Sequence, residues 1–549
     1  MPKLSLTTRL ARRGTAVALG AAAALGGVAI LPATALANHS QASIIEDYND
    51  LNDPVGTLTQ FRELGANTVR VVLPWEGIAP NPFATTKPSF NAADPNAYPA
   101  GNWAPFDAVI NTAQRLGLKV DLTVAGGAPR WAEASAAPKA NGVNPNFVAW
   151  RPNAAAYGQF MQAVGTRYSG TFVPSGQAAP LPRVHFWAIF NEPNFGQDLG
   201  PQATKDSTYF NAPIMYRQLV NSGWQALQAT GHGHDTILIG ELAAEGAEPG
   251  RNPKRTGGLP GNYGQTRPLL FIRDLYCVNS RFRLLRGGAA KATGCPTSAA
   301  GSRRFRSQNP GLFNASGFAD HPYAQGGSPV SRAGNKADFA TFPDFGNLES
   351  TLDRVNRIYG SGKRYTIYNT EYGEITNPPK GRPYPSPAVA AYYINWAEYL
   401  SWKSRRVGSY MQYLLKDPPP TAGAYSGFAS GLEFYDGKPK ATWPAYQIAV
   451  YMPHTSFSHN AKEEIWGNAR PGPFMKADGN GDQSASIQVD GKPVNTTPAN
   501  GGYFDIHMKF PKGRHTVRLA YAFPTHDPFL PVSELGKTVY SRSFTIKAR

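Results

Sequence analysis

From residue 42 to residue 452, short β-branched runs alternate with longer amphipathic segments, and few folds accommodate that rhythm. Repeated strand-then-helix units build parallel sheets, because a parallel neighbour is reached only through a crossover, usually a helix. Eight runs read as strands, at 43–47, 68–73, 119–124, 184–189, 236–240, 317–319, 365–369 and 407–413. Helical segments between them include 105–116, 154–168, 212–230, 348–359 and 387–403. Eight βα units predict an α/β fold, a (β/α)8 TIM barrel, with its functional residues on the loops at the C-terminal ends of the strands. Those connections are long here, at 74–103, 125–151, 195–211 and 241–265. Beyond residue 453 the period changes to strict alternation, at 485–489, 503–510, 515–523 and 539–546, which predicts a small all-β sandwich domain.

The N-terminus has the pattern of a secretory signal. Lys3, Arg9, Arg12 and Arg13 precede an apolar run ending at Leu31 and the small-residue site Ala35-Leu36-Ala37. The expected organisation is therefore a signal at 1–37, a catalytic barrel at 38–453 and a β-sandwich at 454–549, in a secreted, extracellular protein with no membrane insertion. An exported chain meets an oxidising environment, so the only two cysteines, Cys277 and Cys295, are expected to form a disulfide. The formal charge of +17 falls to +13 once the signal's four basic residues are removed. Such a balance suits nucleic acid, an anionic cell wall or an acidic polysaccharide, or serves only colloidal solubility. The basic cluster Arg281, Arg283, Arg286, Arg303, Arg304 and Arg306 has no nucleic-acid-binding motif around it and reads as a solvated loop, so no nucleic-acid partner is expected.

Two carboxylates carry the chemistry. The run Trp187-Ala188-Ile189-Phe190-Asn191-Glu192-Pro193 ends an apolar strand on Asn-Glu, and Pro193 forbids its continuation. The run 365–373 ends in the same way on Glu371. The 179-residue separation places the pair on strands four and seven, whose C-terminal ends share one barrel mouth. Two facing carboxyls, one neutral and one ionised, are what glycosidic-bond cleavage with retention requires.

With these residues the chain resembles the glycoside hydrolases of clan A, the set that includes families 5 and 39, over most of 42–452. The resemblance implies Glu192 as acid/base, Glu371 as nucleophile, Asn191 as a sugar contact and a glycan substrate. Three further stretches agree with it. Asn67-Thr68-Val69-Arg70 followed by Trp75 looks like the strand-two pattern. Asp320-His321-Pro322-Tyr323 looks like the end of strand six, and Gly431 to Tyr446 like the lead into the last barrel helix. Arg70, Asn191, His321, Tyr323 and Trp75 are accordingly the expected substrate-side residues, with Trp131 and Tyr413 as further stacking candidates. At strand eight, where many clan members carry a Trp, this chain has Tyr410, Gln412 and Tyr413.

Glu76, Glu241, Glu245 and Glu374 also fall near strand ends and read as loop or binding carboxylates, Glu374 being the chief rival to Glu371. Asp478-Gly479-Asn480-Gly481-Asp482 superficially suggests a calcium loop, but Gln483 and Val489 stand where its later Gly and Glu belong, so a β-turn is expected. Neither a metal nor a cofactor is expected. The readings left beside a retaining glycosidase are a transglycosylase and a catalytically inactive carbohydrate-binding or cell-wall protein.

Overall fold

A computed structural model describes residues 38 and 40–549, apart from 49, 141–142, 204–210, 247–262, 325–326, 332–336, 421–426, 473–483 and 499–501. The expected signal at 1–37 and the calcium-like run 478–482 lie outside the described residues.

Eight parallel strands close a barrel in sequential order: β1 (Ala42–Glu46), β2 (Thr68–Pro74), β3 (Lys119–Ala125), β4 (Phe186–Ile189), β5 (Thr236–Ala243), β6 (Gly317–His321), β7 (Thr366–Asn369) and β8 (Val407–Tyr413). Closure comes from β1 pairing with β8 as well as β2, which leaves no free sheet edge. Alternation along each strand sorts the core into two. Ile45, Val69, Leu122, Trp187, Ile189 and Phe318 face the surrounding helices in the main core. Ile44, Phe186, Ala188, Leu238, Ala319 and Met411 form a separate apolar cluster that fills the barrel interior. Above that filling the inward positions turn polar, and Glu46, Arg70, Glu241 and His321 are all buried there.

The crossover helices begin where local chemistry starts them. Asn153 accepts from the Ala156 amide at 3.0 Å ahead of the helix Ala154–Arg167, which satisfies a donor the helix leaves free. Ser386 caps Pro387–Lys403 with proline in its first turn, a position that needs no amide hydrogen. Cys277 and Cys295 are bonded to each other, stapling the middle of the segment between β5 and β6.

Two β sheets follow. A three-stranded one joins β9 (Ile448–Tyr451), β11 (Glu463–Ala469) and β14 (Tyr503–Met508). A six-stranded one holds β10 (Ser456–Phe457), β12 (Ser484–Val489), β13 (Lys492–Pro498), β15 (Gly513–Ala522), β16 (Thr538–Tyr540) and β17 (Phe544–Ala548). Residues from both, including Val450, Ile465, Ile487, Leu519 and Ile546, share one core, which makes the pair a sandwich. Its first strand takes in 448–451, on the barrel side of the boundary expected at 453/454, because those residues pair with β11 rather than extending the helix Thr442–Gln447. Buried Arg470 fastens the sandwich to the barrel, reaching Glu398 at 2.6 Å and the Ser43 hydroxyl on β1 at 2.5 Å.

Candidate active site

The chain turns sharply where β4 ends. Phe190 and Glu192 both adopt left-handed backbone, at φ 73° and 35°, a conformation that costs a non-glycine residue roughly 1–3 kcal/mol. This turn brings both Asn191 and Glu192 to the wall of a cavity of about 580 Å³ at the C-terminal mouth of the barrel. Glu371, two residues beyond β7, lines it as well, together with Tyr323 after β6 and Tyr413 at the end of β8. Carboxylate oxygens of Glu192 and Glu371 and a ring nitrogen of His321 all lie within 4.8 Å of one another.

Arg70 organises the floor from β2. Fully buried, it donates from Nη1 to Glu46 at 2.6 Å and Glu371 at 2.8 Å, and from Nη2 to Asn191 at 2.7 Å and Glu241 at 3.1 Å. Tyr323 donates to the other oxygen of Glu371 at 3.3 Å, so both oxygens of that carboxylate are held. The Asn191 amide is fixed at both ends, since its nitrogen donates to Asp198 at 3.0 Å.

His321 lies between two carboxylates, with Nδ1 2.9 Å from Glu192 and Nε2 3.0 Å from Glu241. A proton on each nitrogen lets the ring donate to both carboxyl groups at once. Burial opposes that charge, but Glu371, Glu192 and Glu241 outweigh it and hold the ring's pKa well above its ordinary value. An imidazolium has no lone pair to offer a metal, although Glu192, His321 and Glu371 are compact enough to surround one. Two cations thus face four carboxyl groups, and the environments divide them. Burial raises Glu192, only partly offset by His321, and burial likewise pushes Glu46 up to about 7 despite its contact with Arg70. Burial also acts on Glu241, but there Arg70 and His321 prevail and its pKa falls below the usual carboxylate range.

Most of the expected residues therefore converge, and the structure separates their positions. Asn191, Glu192, Glu371 and Tyr323 line the cavity, while Arg70 and His321 stand fully buried behind the carboxylates. Trp75 requires a correction. It is 1% exposed, stacks on Phe160 and meets Trp131 and Tyr157 edge-on, so it is core packing under the loop after β2 and does not line the cavity that holds Glu192 and Glu371. Trp131 belongs to the same aromatic cluster, with its indole nitrogen donating to the Pro80 carbonyl. Glu374 is also excluded as the nucleophile, because it is buried against the Tyr372 hydroxyl and does not line the cavity. Glu245 does line it, whereas Glu76 borders a separate hollow with Arg130 and Glu133.

The sequence reading missed Glu46 altogether and treated Glu241 as a loop or substrate-binding carboxylate. Glu46 could have been found as the third inward position of Ala42-Ser43-Ile44-Ile45-Glu46. Glu241 was hidden by an irregularity, since the β5–β6 register shifts between Ile239 and Leu242. Further wall residues, Phe195, Gln265, Ile375, Tyr384 and Phe428, come from loops that carry no periodic signal.

No family model matches this chain, and no curated protein matches it. Solved structures with similar folds include a family 39 glycoside hydrolase from Bacteroides cellulosilyticus, 13% identical over 86% of this chain and 80% of that one, TM-score 0.46. A glucosidase from Croceicoccus marinus is 14% identical over 93% of both chains, TM-score 0.43. β-Glucuronidase 2 from Bacteroides uniformis is 10% identical over 93% of this chain, TM-score 0.38, and this chain spans 46% of its length.

Proposed function

We propose that this chain is a secreted glycosidase that cleaves an extracellular glycan with retention of anomeric configuration. The supporting observation is the spacing of the two carboxylates. An oxygen of each carboxyl within 4.8 Å of the other suits the retaining arrangement, in which the carboxyls stand about 5–5.5 Å apart, better than the inverting one, in which they stand about 6.5–9.5 Å apart. A Glu371 oxygen attacks the anomeric carbon as the glycosidic C–O bond breaks, and the Glu192 proton passes to the leaving oxygen. Water then attacks the glycosyl ester, its proton returns to Glu192, and Glu371 leaves as a carboxylate. The raised pKa of Glu192 suits the acid role, while Arg70 and Tyr323 orient the nucleophile. Asn191, locked between Arg70 and Asp198, presents its amide at the cavity wall, placed to bond a hydroxyl beside the reacting carbon.

Hydrolysis of an aryl-glycoside and polysaccharide panel, with the first-formed anomer followed by NMR, tests this reading. Retention is expected; Glu371→Gln should abolish turnover, and Glu192→Gln should spare only substrates whose leaving group needs no proton. Inversion, or cleavage unchanged in both variants, would refute it.

The basic segment between β5 and β6 supports a second element of the reading, association with an anionic wall polymer. Arg281, Arg283, Arg286, Lys291, Arg303, Arg304 and Arg306 are all exposed, and no acid occurs from Val278 to Ser316. Such a field attracts polyanions and weakens with salt. Reversing Arg303, Arg304 and Arg306 to Glu should lower the salt needed to elute the protein from heparin by more than three reversals in the sandwich do. Equal shifts would refute a localised surface.

A further inference from the structure

Strand β5 carries a device that the catalytic reading does not use. Its register against β6 slips between Ile239 and Leu242, which makes Gly240-Glu241 a bulge. Gly240 has φ 109°, and a Cβ there would stand 2.4 Å from the Ala319 carbonyl, so only glycine fits. Glu241 follows at φ 50°. The bulge turns the Glu241 side chain into the barrel, where one oxygen accepts from both Arg70 at 3.1 Å and His321 at 3.0 Å. Glu241 is fully buried and lies outside the cavity lining, so it meets no substrate.

Building on the retaining-glycosidase reading, we propose that Glu241 is a positioning residue that keeps His321 an imidazolium through both halves of the reaction, so that the same cation serves Glu192 and Glu371 in turn. His321 Nδ1 is 2.9 Å from Glu192 and 3.6 Å from Glu371. These two carboxyls exchange charge during catalysis. Before attack Glu371 is anionic and Glu192 carries the proton; in the glycosyl-enzyme Glu371 is a neutral ester and Glu192 is anionic. A cation between them stabilises whichever is charged, provided that its own proton stays in place. Glu241 is the counter-ion that the reaction leaves unchanged. The other charged or titratable groups that interact with the ring are Glu46 on β1, Asp121 on β3, Asp198 after β4 and Asp320 beside it on β6, and Arg70 on β2 shares the Glu241 oxygen with it. Burial raises the pKa of Asp121, Asp198, Asp320 and Glu46, the last to about 7, and Glu46 bonds to Arg70, whereas Glu241 accepts directly from Nε2 of the ring.

Glu241→Gln removes the charge and keeps an oxygen that can accept from Nε2. The ¹⁵N resonances of His321, assigned by comparison with His321→Asn, should show an imidazolium in the wild type at every pH from 6 to 9. In Glu241→Gln they should titrate to the neutral ring within that range. The basic limb of kcat/KM should move up by about one pH unit, a tenfold gain in relative activity on that limb, because Glu192 loses its cationic donor. Glu241→Asp, which retains the charge, should keep the wild-type limb. A neutral His321 in the wild type, a persistent imidazolium in Glu241→Gln, or a uniformly lower profile with its limbs unmoved would each overturn the proposal. Wild-type protein inactive on every glycan would count against the glycosidase reading alone, because the NMR comparison reads His321 without turnover.

Discussion

Replacing Arg70 with Met tests the arrangement at its centre. The substitution nearly preserves length and removes the guanidinium that binds Glu46, Glu371, Asn191 and Glu241. Removing one partner from a buried ion pair costs about 3–5 kcal/mol, much of it the burden of the charge left behind. Here three carboxylates are left, and they can avoid that burden by binding protons. At pH 5, near their ordinary pKa, protonation is cheap and the loss should stay near ~3 kcal/mol. Above that pH, each proton held by the folded variant and released by the unfolded chain lowers stability by about 1.4 kcal/mol per pH unit. The sign follows from the raised folded pKa: the stability is present at low pH and lost as pH rises. One retained proton therefore widens the gap from wild type by ~4 kcal/mol between pH 5 and 8, a large part of the roughly 5–15 kcal/mol that holds a domain folded. Urea denaturation of both proteins at pH 5, 6.5 and 8 measures this. A gap that is independent of pH, or below ~1 kcal/mol, would refute the claim that Arg70 neutralises buried carboxylates.

Three further outcomes are expected. Burial pushes Glu374 up to about 8, so its contribution is lost as pH rises from about 4.5 to 8, and Glu374→Gln should flatten stability over that window by on the order of a few kcal/mol; thermal melts at pH 5 and 8 read the difference. Substituting both Cys277 and Cys295 with Ser opens a loop of 18-residue separation and should cost about 3 kcal/mol by the chain-entropy model, measured as a shift in urea midpoint; no shift would show that the staple is dispensable. Gly240→Ala drives a Cβ to 2.4 Å from a backbone oxygen at positive φ, so stability should fall by several kcal/mol and any activity should fall with it; an unperturbed Tm would contradict the bulge.

The barrel was legible because periodicity reports which face of each element is buried, and that is a local property. All eight expected strand positions are occupied, although β5 and β6 run beyond the expected 240 and 319 to Ala243 and His321. Glu192 and Glu371 were legible for a related reason: a polar residue that abruptly ends an apolar strand lies at a barrel rim. Trp75 was misread because a tryptophan after a strand gives no local sign of whether its ring meets sugar or, as here, Phe160 and Tyr157. The sequence alone thus determined the repeat, the location of the two carboxylates and the cysteine pair. Only the tertiary structure decided their electrostatics. The four bonds of Arg70 join residues up to 301 positions apart, and Glu241 enters the interior through a bulge that breaks the alternation on which sequence reading relies. Burial and ionic partnership belong to the closed barrel, since a carboxylate's charge depends on which strands close around it.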